Sequence, residues 1–293
     1  MIVVTTPTGD IGSQLVQNLL AANETVRVIA RNPDKIAPDV RAKVNIVKGS
    51  SDDEDVLLRA LDGAESLFLV VPPSFRTNDT REYYLQFTRP VCRAIKSLGV
   101  KRVVSVSGIG RRASVKAGPV TASFAKDEEI ESTGVDFRAL WCPGFMENML
   151  RQIDSLKHQG IFVSPSRPDV KNPQVATRDI ASTGARLLRD RSWTGQGGVA
   201  VLGPEDLSPD DMAAIVSDVL GRPIRYQSVP GEAYKAQLMK FGASAEFAQG
   251  LVDMYGAKDN GLDKSEPRTA ENTTPTTFRQ WCEEVLKPAF LRA

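Results

Sequence analysis

An α/β fold with a doubly wound parallel sheet is predicted for this chain by the order of its apolar segments. Short β-branched runs alternate with amphipathic helical segments through the first half of the 293 residues, at the spacing of repeated β–α–β units. The first run begins at residue 2 and leads directly into a glycine-containing turn and a helix. In the second half this order loosens into shorter strands and helices. A Rossmann-type sheet is therefore expected, followed by a smaller α+β C-terminal lobe.

Six apolar runs in the first half have the composition of parallel strands that are buried on both faces. They are residues 2–5, 25–30, 44–47, 67–71, 102–106 and 137–142. Helical periodicity fills several of the intervals between them. Gly12 opens the first helix and Asp52 or Asp53 caps the second. The third helix is predicted over residues 79–98 and the fourth over residues 123–133.

Further elements in the second half follow no regular β–α–β order. Strands are predicted at residues 160–163, 198–202 and 224–229. Helices are predicted from Thr177 or Asp179 to residue 189, from Ser208 onward, and at residues 231–240, 243–255 and 277–286. Residues 257–275 are rich in Asn, Thr, Asp, Lys and Gly, and are expected to form an irregular surface segment.

The composition excludes several classes of protein and site. Lys and Arg total 37 against 36 for Asp and Glu, and this balance gives no support for a nucleic-acid or anionic-membrane partner. The apolar runs are too short to cross a bilayer. Three separated cysteines and a single histidine, His158, argue against a disulfide framework and against a metal site. A strand at the first residues leaves no room for a signal peptide, so a cytoplasmic protein is expected.

The turn after the first strand has the features of a phosphate-binding site. The residues expected to hold a diphosphate are Thr6, Thr8, Gly9, Asp10, Ile11 and Gly12. A strand, a turn and a helix start bring free backbone amides and the positive end of a helix dipole to one place. Gly9 leaves room for the phosphates, and Gly12 lets the helix pack against the strand. Thr6 replaces the first glycine of the G-x-x-G-x-x-G pattern, so an ordinary βα turn is the alternative.

The residue after the second strand predicts which dinucleotide is bound. NAD-specific domains place an acidic residue here, where it binds the ribose hydroxyls. This chain instead has Arg31, with Lys35 close behind. A guanidinium forms charge-assisted hydrogen bonds with a ribose phosphate. We therefore expect NADP(H) as the cofactor, with an ordinary exposed arginine as the alternative.

With these residues placed, the chain resembles the NmrA-like branch of the atypical short-chain dehydrogenase/reductase superfamily over nearly its whole length. The resemblance rests on the turn from Thr6 to Gly12, Val28-Ile-Ala-Arg-Asn-Pro33, Gly49-Ser-Ser-Asp52, Val103-Val-Ser-Val-Ser-Gly108, Lys126 before Glu131, and Trp141-Cys-Pro-Gly-Phe-Met-Glu-Asn148. The ending Gln280-Trp-Cys-Glu-Glu-Val-Leu-Lys-Pro288 is similar to that of fungal members.

The resemblance implies which segments line the rest of the cofactor. The adenine would lie near Ser50, Ser51 and Asp52. The nicotinamide ribose would lie near Val71 and Pro72, and the nicotinamide ring near Pro143, Gly144 and Phe145. Each segment follows a predicted strand, and ligands of such sheets bind beyond the carboxyl ends of the strands. For any one segment alone, a connecting loop without a ligand is the alternative.

The usual catalytic pair of the superfamily is incomplete in this chain. Short-chain dehydrogenases use a Y-x-x-x-K motif, in which tyrosine is the general acid/base and lysine lowers its pKa. Lys126 fits the lysine, but the residue four positions earlier is Ala122. Lys126 and Ser107 are therefore the predicted catalytic residues, and Lys126 is also a predicted cofactor contact. A solvated helix lysine and a serine without a chemical role are the alternatives.

Together these features predict an NADPH-dependent oxidoreductase that reduces a small quinone, enone or aromatic carbonyl compound, as in secondary metabolism. Without the tyrosine, hydride transfer would need little acid help, and a proton from Lys126 or water would complete the reaction. The alternatives are an NADP(H)-sensing regulator without turnover and a non-redox pathway enzyme on the same fold. A homo-oligomer or a protein partner is left open by the sequence.

The predicted NADP-binding domain spans residues 1–150, with residues 176–205 returning to it. Residues 151–175 and 206–293 would form the smaller substrate lobe. The side chains predicted to line the substrate pocket are Phe145, Met146, Met149, Phe162 and Trp193, with core packing as the alternative for the Met and Phe residues. Tyr83 and Tyr84 are expected to pack on their helix, although one of them is also a candidate for the pocket.

Overall fold

The computed structural model describes residues 1–111 and 115–292. Its strands are β1 (Ile2–Val4), β2 (Val26–Ala30), β3 (Asn45–Lys48), β4 (Ser66–Leu69), β5 (Arg102–Gly108), β6 (Asp136–Cys142), β7 (Gly144–Phe145), β8 (Ile161–Ser164), β9 (Asn172–Val175), β10 (Gln196–Ala200), β11 (Asp206–Leu207) and β12 (Arg225–Ser228). Seven of them form one sheet in the order β10-β6-β5-β4-β1-β2-β3, and all neighbouring strands in it are parallel. The predicted doubly wound parallel sheet is thereby confirmed.

The helices connect these strands or build the second half of the chain. They are α1 (Asp10–Ala21), α2 (Pro38–Arg41), α3 (Glu54–Leu61), α4 (Thr80–Leu98), α5 (Pro119–Glu131), α6 (Ile153–Gln159), α7 (Thr177–Arg189), α8 (Pro209–Leu220), α9 (Gly231–Lys240), α10 (Ala245–Asp259), α11 (Phe278–Trp281) and α12 (Lys287–Arg292). A 3₁₀ helix at Met146–Gln152 and a π-helical turn at Cys282–Leu286 also bear on the site and the C-terminus.

Both faces of the large sheet are covered by helices, as its apolar strands predict. Alternate residues of β1 point to opposite faces, so Ile2 and Val4 join one core while Val3 joins the other. The first core contains α1 and α7, through residues such as Leu15 and Ile180. The second core contains α3, α4 and α5.

The strand order reverses at β1, which lies between β2 and β4. In doubly wound sheets the crevice at such a reversal is where ligands bind. Thr5 holds this point together: its hydroxyl donates to the Phe68 carbonyl (3.2 Å) and accepts from the Val70 amide (3.0 Å). Thr5 is fully buried, so the crevice has a rigid floor.

The second half of the chain is divided between the large sheet and smaller elements. β10 pairs with β6 in the large sheet, and α7 packs on α1. The remaining strands form a three-stranded sheet, β11-β9-β7, and a two-stranded sheet, β12-β8. A third core joins Met146, Leu156, Val216 and Trp281, and so links the segment after β6 to the C-terminal helices.

Several boundaries differ from the sequence-based expectations. The fourth predicted helix begins at Pro119 rather than residue 123, because proline is well suited to a first helical turn. The fourth strand ends at Leu69, two residues early, and the last helix continues through the π-helical turn to Arg292. β9 was not predicted, because Asn172-Pro-Gln-Val175 lacks an apolar run.

Neither a membrane span nor a metal cluster is found in the described part of the chain. No helix within residues 1–111 and 115–292 has both the length and the apolar content to cross a membrane. In the same ranges, no three His, Cys, Asp or Glu side chains come together as a metal site would require.

Candidate functional site

The residues predicted for the site lie along one edge of the large sheet. The turn from Thr6 to Gly12 follows β1, and Arg31 follows β2. Ser50 and Ser51 follow β3, and Val71 and Pro72 follow β4. Ser107 is the second-last residue of β5, and Pro143, Gly144 and Phe145 follow β6. Because parallel strands end at the same edge, the structure brings these segments to one crevice. Their contacts with a cofactor stay predictions.

The turn after β1 is shaped by two close approaches of backbone. Thr6 has a left-handed backbone with φ of 50°, and its carbonyl accepts a hydrogen bond from the Gly9 amide (3.1 Å). A Cβ atom placed on Gly12 would lie 2.2 Å from that same carbonyl oxygen. Gly12 is therefore required by helix packing. Thr6 occupies the position of the first glycine in the G-x-x-G-x-x-G pattern. Its positive φ is one that glycine adopts more easily than threonine.

The start of α1 leaves backbone donors available in the crevice. Gly9 precedes the helix with an extended backbone, and no side chain of the described residues caps the first turn. Thr8, Gly9 and Asp10 are exposed. A Cβ on Gly9 would meet only the Thr6 oxygen, at 3.5 Å, so Gly9 is not needed for packing. Free amides with open space in front of them fit a diphosphate.

Charged and polar groups after β2, β3 and β4 lie near one another. Tyr83 of α4 donates from its hydroxyl to the Pro72 carbonyl at 2.8 Å. Burial and the nearby Asp52 carboxylate raise the pKa of Tyr83, and the Arg31 charge acts in the opposite direction. Arg31 itself is exposed and forms no ion pair with the described residues. Tyr83 therefore touches the predicted crevice, and Arg31 is free to bind a ligand.

Lys126 is completely buried, so the alternative of a solvated helix lysine is wrong. Its Nζ donates to Ser105 Oγ and to the Val106 carbonyl, both at 2.6 Å. It also lies 3.1 Å from Asp127 Oδ1, in an ion pair with no exposure on either side. The ammonium group thus has two hydrogen-bond acceptors and one carboxylate partner inside the protein.

Ser107 belongs to a second set of polar contacts at the end of β5. Its hydroxyl donates to Asp127 Oδ2 at 2.5 Å and lies 3.1 Å from Ser123 Oγ. Ser123 Oγ accepts from the Gly108 amide (2.9 Å) and donates to the Val120 carbonyl (2.7 Å). Burial raises the pKa of Asp127, while the Lys126 charge and the Ser107 hydroxyl oppose that change.

The two sets lie at different depths in the sheet. Because α5 connects two parallel strands, it runs antiparallel to β5, and its first turns are nearest the carboxyl edge. Ser123 precedes Lys126 by three residues, or about 4.5 Å along the helix. Ser123 and Ser107 each retain a few percent of exposure, whereas Lys126 and Asp127 retain none. The serine pair therefore lies nearer the carboxyl edge of the sheet, and the charged pair lies deeper.

Ala122, at the place of the missing tyrosine, lies beside a cleft of about 330 Å³. The cleft is bounded by the start of α4, the start of α5 and α10, with Thr80, Glu246 and Gly250 among its lining residues. Ala122 itself is buried. No hydroxyl takes the place of the tyrosine at this position.

The structure places most of the predicted pocket residues elsewhere. Met146, Met149 and Phe162 are buried in the third core, as the core-packing alternative states. Trp193 precedes β10 and donates from Nε1 to the Leu187 carbonyl (2.8 Å), so it lies at the opposite edge of the sheet. Its prediction as a pocket residue is wrong. Phe145 is half-buried beside the first core.

Three polar residues that matter at the site were missed by the sequence analysis. Ser123 and Asp127 are spaced i, i+4 on α5, with Lys126 on the same side, and that spacing was the available signal. Glu147 accepts hydrogen bonds from the Thr177 amide (3.0 Å) and from Trp281 Nε1 (3.1 Å). It thereby joins the segment after β6 to α7 and to the C-terminal helix.

The sequence is similar to those of proteins that are named as reductases. The chain is 28% identical to a "(4-alkanoyl-5-oxo-2,5-dihydrofuran-3-yl)methyl phosphate reductase" of Streptomyces griseus, with 97% of each chain covered. It is 27% identical to an "NAD(P)H azoreductase" of Xenophilus azovorans, over 87% of this chain and 86% of that protein.

A solved structure shares the fold at lower identity. It is an NADPH-dependent quinone oxidoreductase from Escherichia coli in complex with NADPH, with a TM-score of 0.81 and 22% identity. The match covers 98% of this chain and all of the other. A model of the NmrA-like family matches residues 1–283, nearly the whole sequence. The resemblance seen in the motifs is thereby confirmed, and the chain belongs to the NmrA-like family.

Proposed function

We propose that this protein is an NADPH-dependent oxidoreductase that reduces a small quinone, enone or aromatic carbonyl compound. The observation that carries the proposal is the crevice at the carboxyl edge of the sheet. It combines uncapped amides at the start of α1, an exposed guanidinium after β2 and paired serine hydroxyls at the end of β5. The amides suit the diphosphate of a nicotinamide cofactor, the guanidinium suits its ribose phosphate, and the serine hydroxyls suit the substrate oxygen.

The crevice fits NADPH on the evidence of its own residues. The exposed Gly9 leaves the amides of the first helical turn accessible, and a side chain there would fill the cradle. Arg31 would bind the ribose phosphate, and Lys35, also exposed, would add positive charge. Ser50 and Ser51 would border the adenine. Val71, Pro72, Pro143, Gly144 and Phe145 would border the nicotinamide half.

The serine hydroxyls are proposed to meet the substrate oxygen. When bound, NADPH supplies the hydride to the substrate carbon. Ser123 turns its hydroxyl from the Val120 carbonyl toward the oxygen that gains negative charge. Asp127 accepts the Ser107 hydroxyl proton and so fixes Ser107 Oγ, which lies 3.1 Å from Ser123 Oγ and keeps that side chain in place. Water at the crevice then gives the oxygen its proton.

Lys126 is proposed to act through its positive charge, from a position deeper in the protein than the two serines. Its ammonium group donates to Ser105 Oγ and to the Val106 carbonyl and lies 3.1 Å from Asp127 Oδ1, so it is held within the protein. A buried positive charge still favours negative charge that develops nearby, and it balances the carboxylate of Asp127. Lys126 is thus a positioning residue in this scheme, and a direct proton donation is not needed.

The substrate class is supported by the names of the relatives. The proteins compared include a furanone phosphate reductase, an azoreductase and a quinone oxidoreductase, each of which acts on a conjugated acceptor. Such acceptors stabilise the charge formed by hydride addition, so they suit a site in which Ala122 replaces the tyrosine. We further propose that residues 1–150 and 176–205 hold the cofactor, while 151–175 and 206–293 form the substrate lobe.

The test is a screen for NADPH oxidation with quinones, enones and aromatic ketones, followed through the loss of NADPH absorbance. We expect consumption with at least one class and a large loss of kcat in Ser107→Ala and Ser123→Ala. Lys126→Met should also slow the reaction, and it should lower stability because Asp127 would be left buried without its partner. Circular dichroism separates that loss from an effect on turnover. No consumption with any acceptor would reject the proposal.

A regulator that senses NADP(H) without turnover is the second candidate. The observation in its favour is the buried Ala122, which leaves the usual general acid absent. Such a protein should bind NADP⁺ and NADPH with clearly different affinities and consume neither. Calorimetric titration with each form, beside the same oxidation screen, distinguishes the two functions.

A further inference from the structure

Aromatic and cationic side chains converge beside the proposed reaction centre from four elements. Phe75 follows β4, Arg151 lies in the 3₁₀ helix after β6, Tyr234 lies on α9, and Phe247 and Tyr255 lie on α10. We call the four aromatic residues of this set the aromatic cluster. β4 and β6 are the neighbours of β5 in the sheet, so the segments that follow them flank Ser107.

The rings of the cluster are held in two edge-to-face pairs. The Phe75 and Phe247 ring centres are 5.1 Å apart at 81°, and those of Tyr234 and Tyr255 are 5.7 Å apart at 89°. The Ser244 amide donates to the Phe75 carbonyl at 2.8 Å, which ties the loop after β4 to the start of α10. The Arg151 guanidinium carbon lies 5.9 Å from the centre of the Phe75 ring.

Part of this region is open to solvent, because Phe75 and Arg151 are both exposed. Tyr234 and Tyr255 are only half-buried, yet loss of water raises the pKa of both, that of Tyr255 well above its usual value. The positive charge of Arg151 opposes this change in pKa at both hydroxyls. Phe75 is 46% exposed, an unusual amount for a large apolar ring.

Arg151 forms no ion pair with a carboxylate in residues 1–111 and 115–292. Arginines at comparable junctions are paired, such as Arg178 with Glu284 and Arg268 with Asp206. An unpaired, exposed guanidinium beside exposed aromatic rings is suited to a planar ligand with a negative charge.

We propose that Arg151 and the aromatic cluster form a specificity subsite for a planar aromatic substrate that carries an anionic group, such as a sulfonate, carboxylate or phosphate. The guanidinium pairs with the anion, and the rings of Phe75 and the two tyrosines pack against the aromatic body. The assignment of this occupant as a substrate rests on the proposed reductase function. The subsite itself is a binding property that can be measured without turnover.

The experiment compares two probes of matching shape, a sulfonated anthraquinone and the corresponding uncharged hydroxymethylanthraquinone, with NADPH as reductant. In the Arg151→Met variant, KM for the sulfonated probe should rise about 10- to 100-fold, while KM for the uncharged probe changes little. Arg151→Lys should recover part of the loss. Arg59→Met, which removes an exposed arginine on α3, is the matched control and should change neither value.

Equal effects of Arg151→Met on the two probes, or no effect on either, would overturn the subsite while leaving the reductase function intact. If neither probe is consumed, calorimetric binding of naphthalene sulfonate to the protein in the presence of NADP⁺ decides the question. Binding that is lost in Arg151→Met and kept in Arg59→Met supports the subsite. Binding that is the same in all three proteins rejects it.

Discussion

At the scale of single residues, the site contains two residues in unusual states, one with a left-handed backbone and one with a fully buried charge. Thr6 is β-branched yet adopts a left-handed backbone, a conformation that costs such residues free energy. Lys126 is fully buried, and its charge is stabilised only by Asp127 and by two oxygen acceptors. Arg31, by contrast, is exposed and unpaired, which is what a ligand-binding cation at the rim of a crevice requires.

Replacing Arg31 tests the choice of cofactor. Arg31→Ala is expected to weaken NADPH binding by about 1.5–3 kcal/mol and to leave NADH binding nearly unchanged, because only NADPH carries the ribose phosphate. Calorimetric or fluorescence titration with both nucleotides measures the difference. Lys43→Ala, an exposed lysine before β3, is the control. Equal losses for both nucleotides would remove the assigned role of Arg31.

The left-handed backbone of Thr6 predicts a gain in stability on substitution. Thr6→Gly should raise the free energy of unfolding by about 1 kcal/mol, since the relief of strain exceeds the entropic cost of glycine. Urea unfolding provides the measurement. Asn23→Gly changes the second non-glycine residue with a positive φ in the described ranges and should gain less, because asparagine tolerates that conformation. A loss of stability in Thr6→Gly would show that the threonine side chain has a further role.

At the scale of elements, the strand, turn and helix of the cofactor crevice divide their tasks between two glycines. Gly12 lies under the Thr6 carbonyl and sets how closely α1 approaches β1, whereas Gly9 faces open space. The fold therefore requires Gly12, whereas packing does not require Gly9, and its contact with a diphosphate stays a prediction.

A pair of alanine substitutions separates these two requirements. Gly12→Ala should cost at least about 3 kcal/mol of unfolding free energy, because its Cβ would lie 2.2 Å from a backbone oxygen. Gly9→Ala should cost less than about 1 kcal/mol, since its Cβ has only an ordinary contact. The Gly9→Ala variant should nevertheless bind NADPH at least about tenfold more weakly, as the methyl group occupies the phosphate cradle. Unfolding and nucleotide titration on both variants measure the two effects, and unchanged NADPH affinity in Gly9→Ala would contradict the predicted cradle.

At the scale of the whole molecule, the second half of the chain is joined to the sheet around the crevice. Glu147 connects the segment after β6 to α7 and Trp281. Thr80 at the start of α4 donates to Glu246 at the start of α10 (2.7 Å). Gly118, just before α5, has a left-handed backbone and lies directly against Gly250 of α10. These contacts hold α10, and with it the aromatic cluster, over the carboxyl edge of the sheet.

The close contact between Gly118 and Gly250 predicts how strongly α10 is docked. Gly118→Ala should cost about 3 kcal/mol, because its Cβ would lie 2.3 Å from the Gly250 carbonyl oxygen in addition to the strained φ. Gly221→Ala is the reference for a positive φ in open space, because Gly221 has a left-handed helical backbone (φ 66°, ψ 28°) with no neighbouring atom in the way, and it should cost about 1 kcal/mol. Thermal and urea unfolding of both variants test this. Similar losses in the two would mean that the helix contact contributes little.

Much of the fold was predictable because its signals are local. The six strands of the first half, the N-cap of α3 and the turn from Thr6 to Gly12 were all found from neighbouring residues. β9 and the start of α5 were missed because pairing partners and a proline turn, rather than apolar periodicity, define them. In the site, Arg31 and Ser107 were identifiable from their places after or within strands. Asp127 was not, since adjacent acidic residues on a helix usually face solvent.

The sequence alone determined the parallel sheet, the family and the chemical character of the cofactor crevice. Each of these is encoded in short segments, and the order of the segments along the chain places them at the same edge of the sheet. Only the tertiary structure decided that Lys126 is buried, that Trp193 lies at the far edge and that Arg151 lies beside Phe75 without an ion pair to any described residue. Burial and charge pairing depend on which distant segments pack together. Residues such as Ser107 and Asp127, or Phe75 and Phe247, meet through the fold and carry no mark of that meeting in their local sequence.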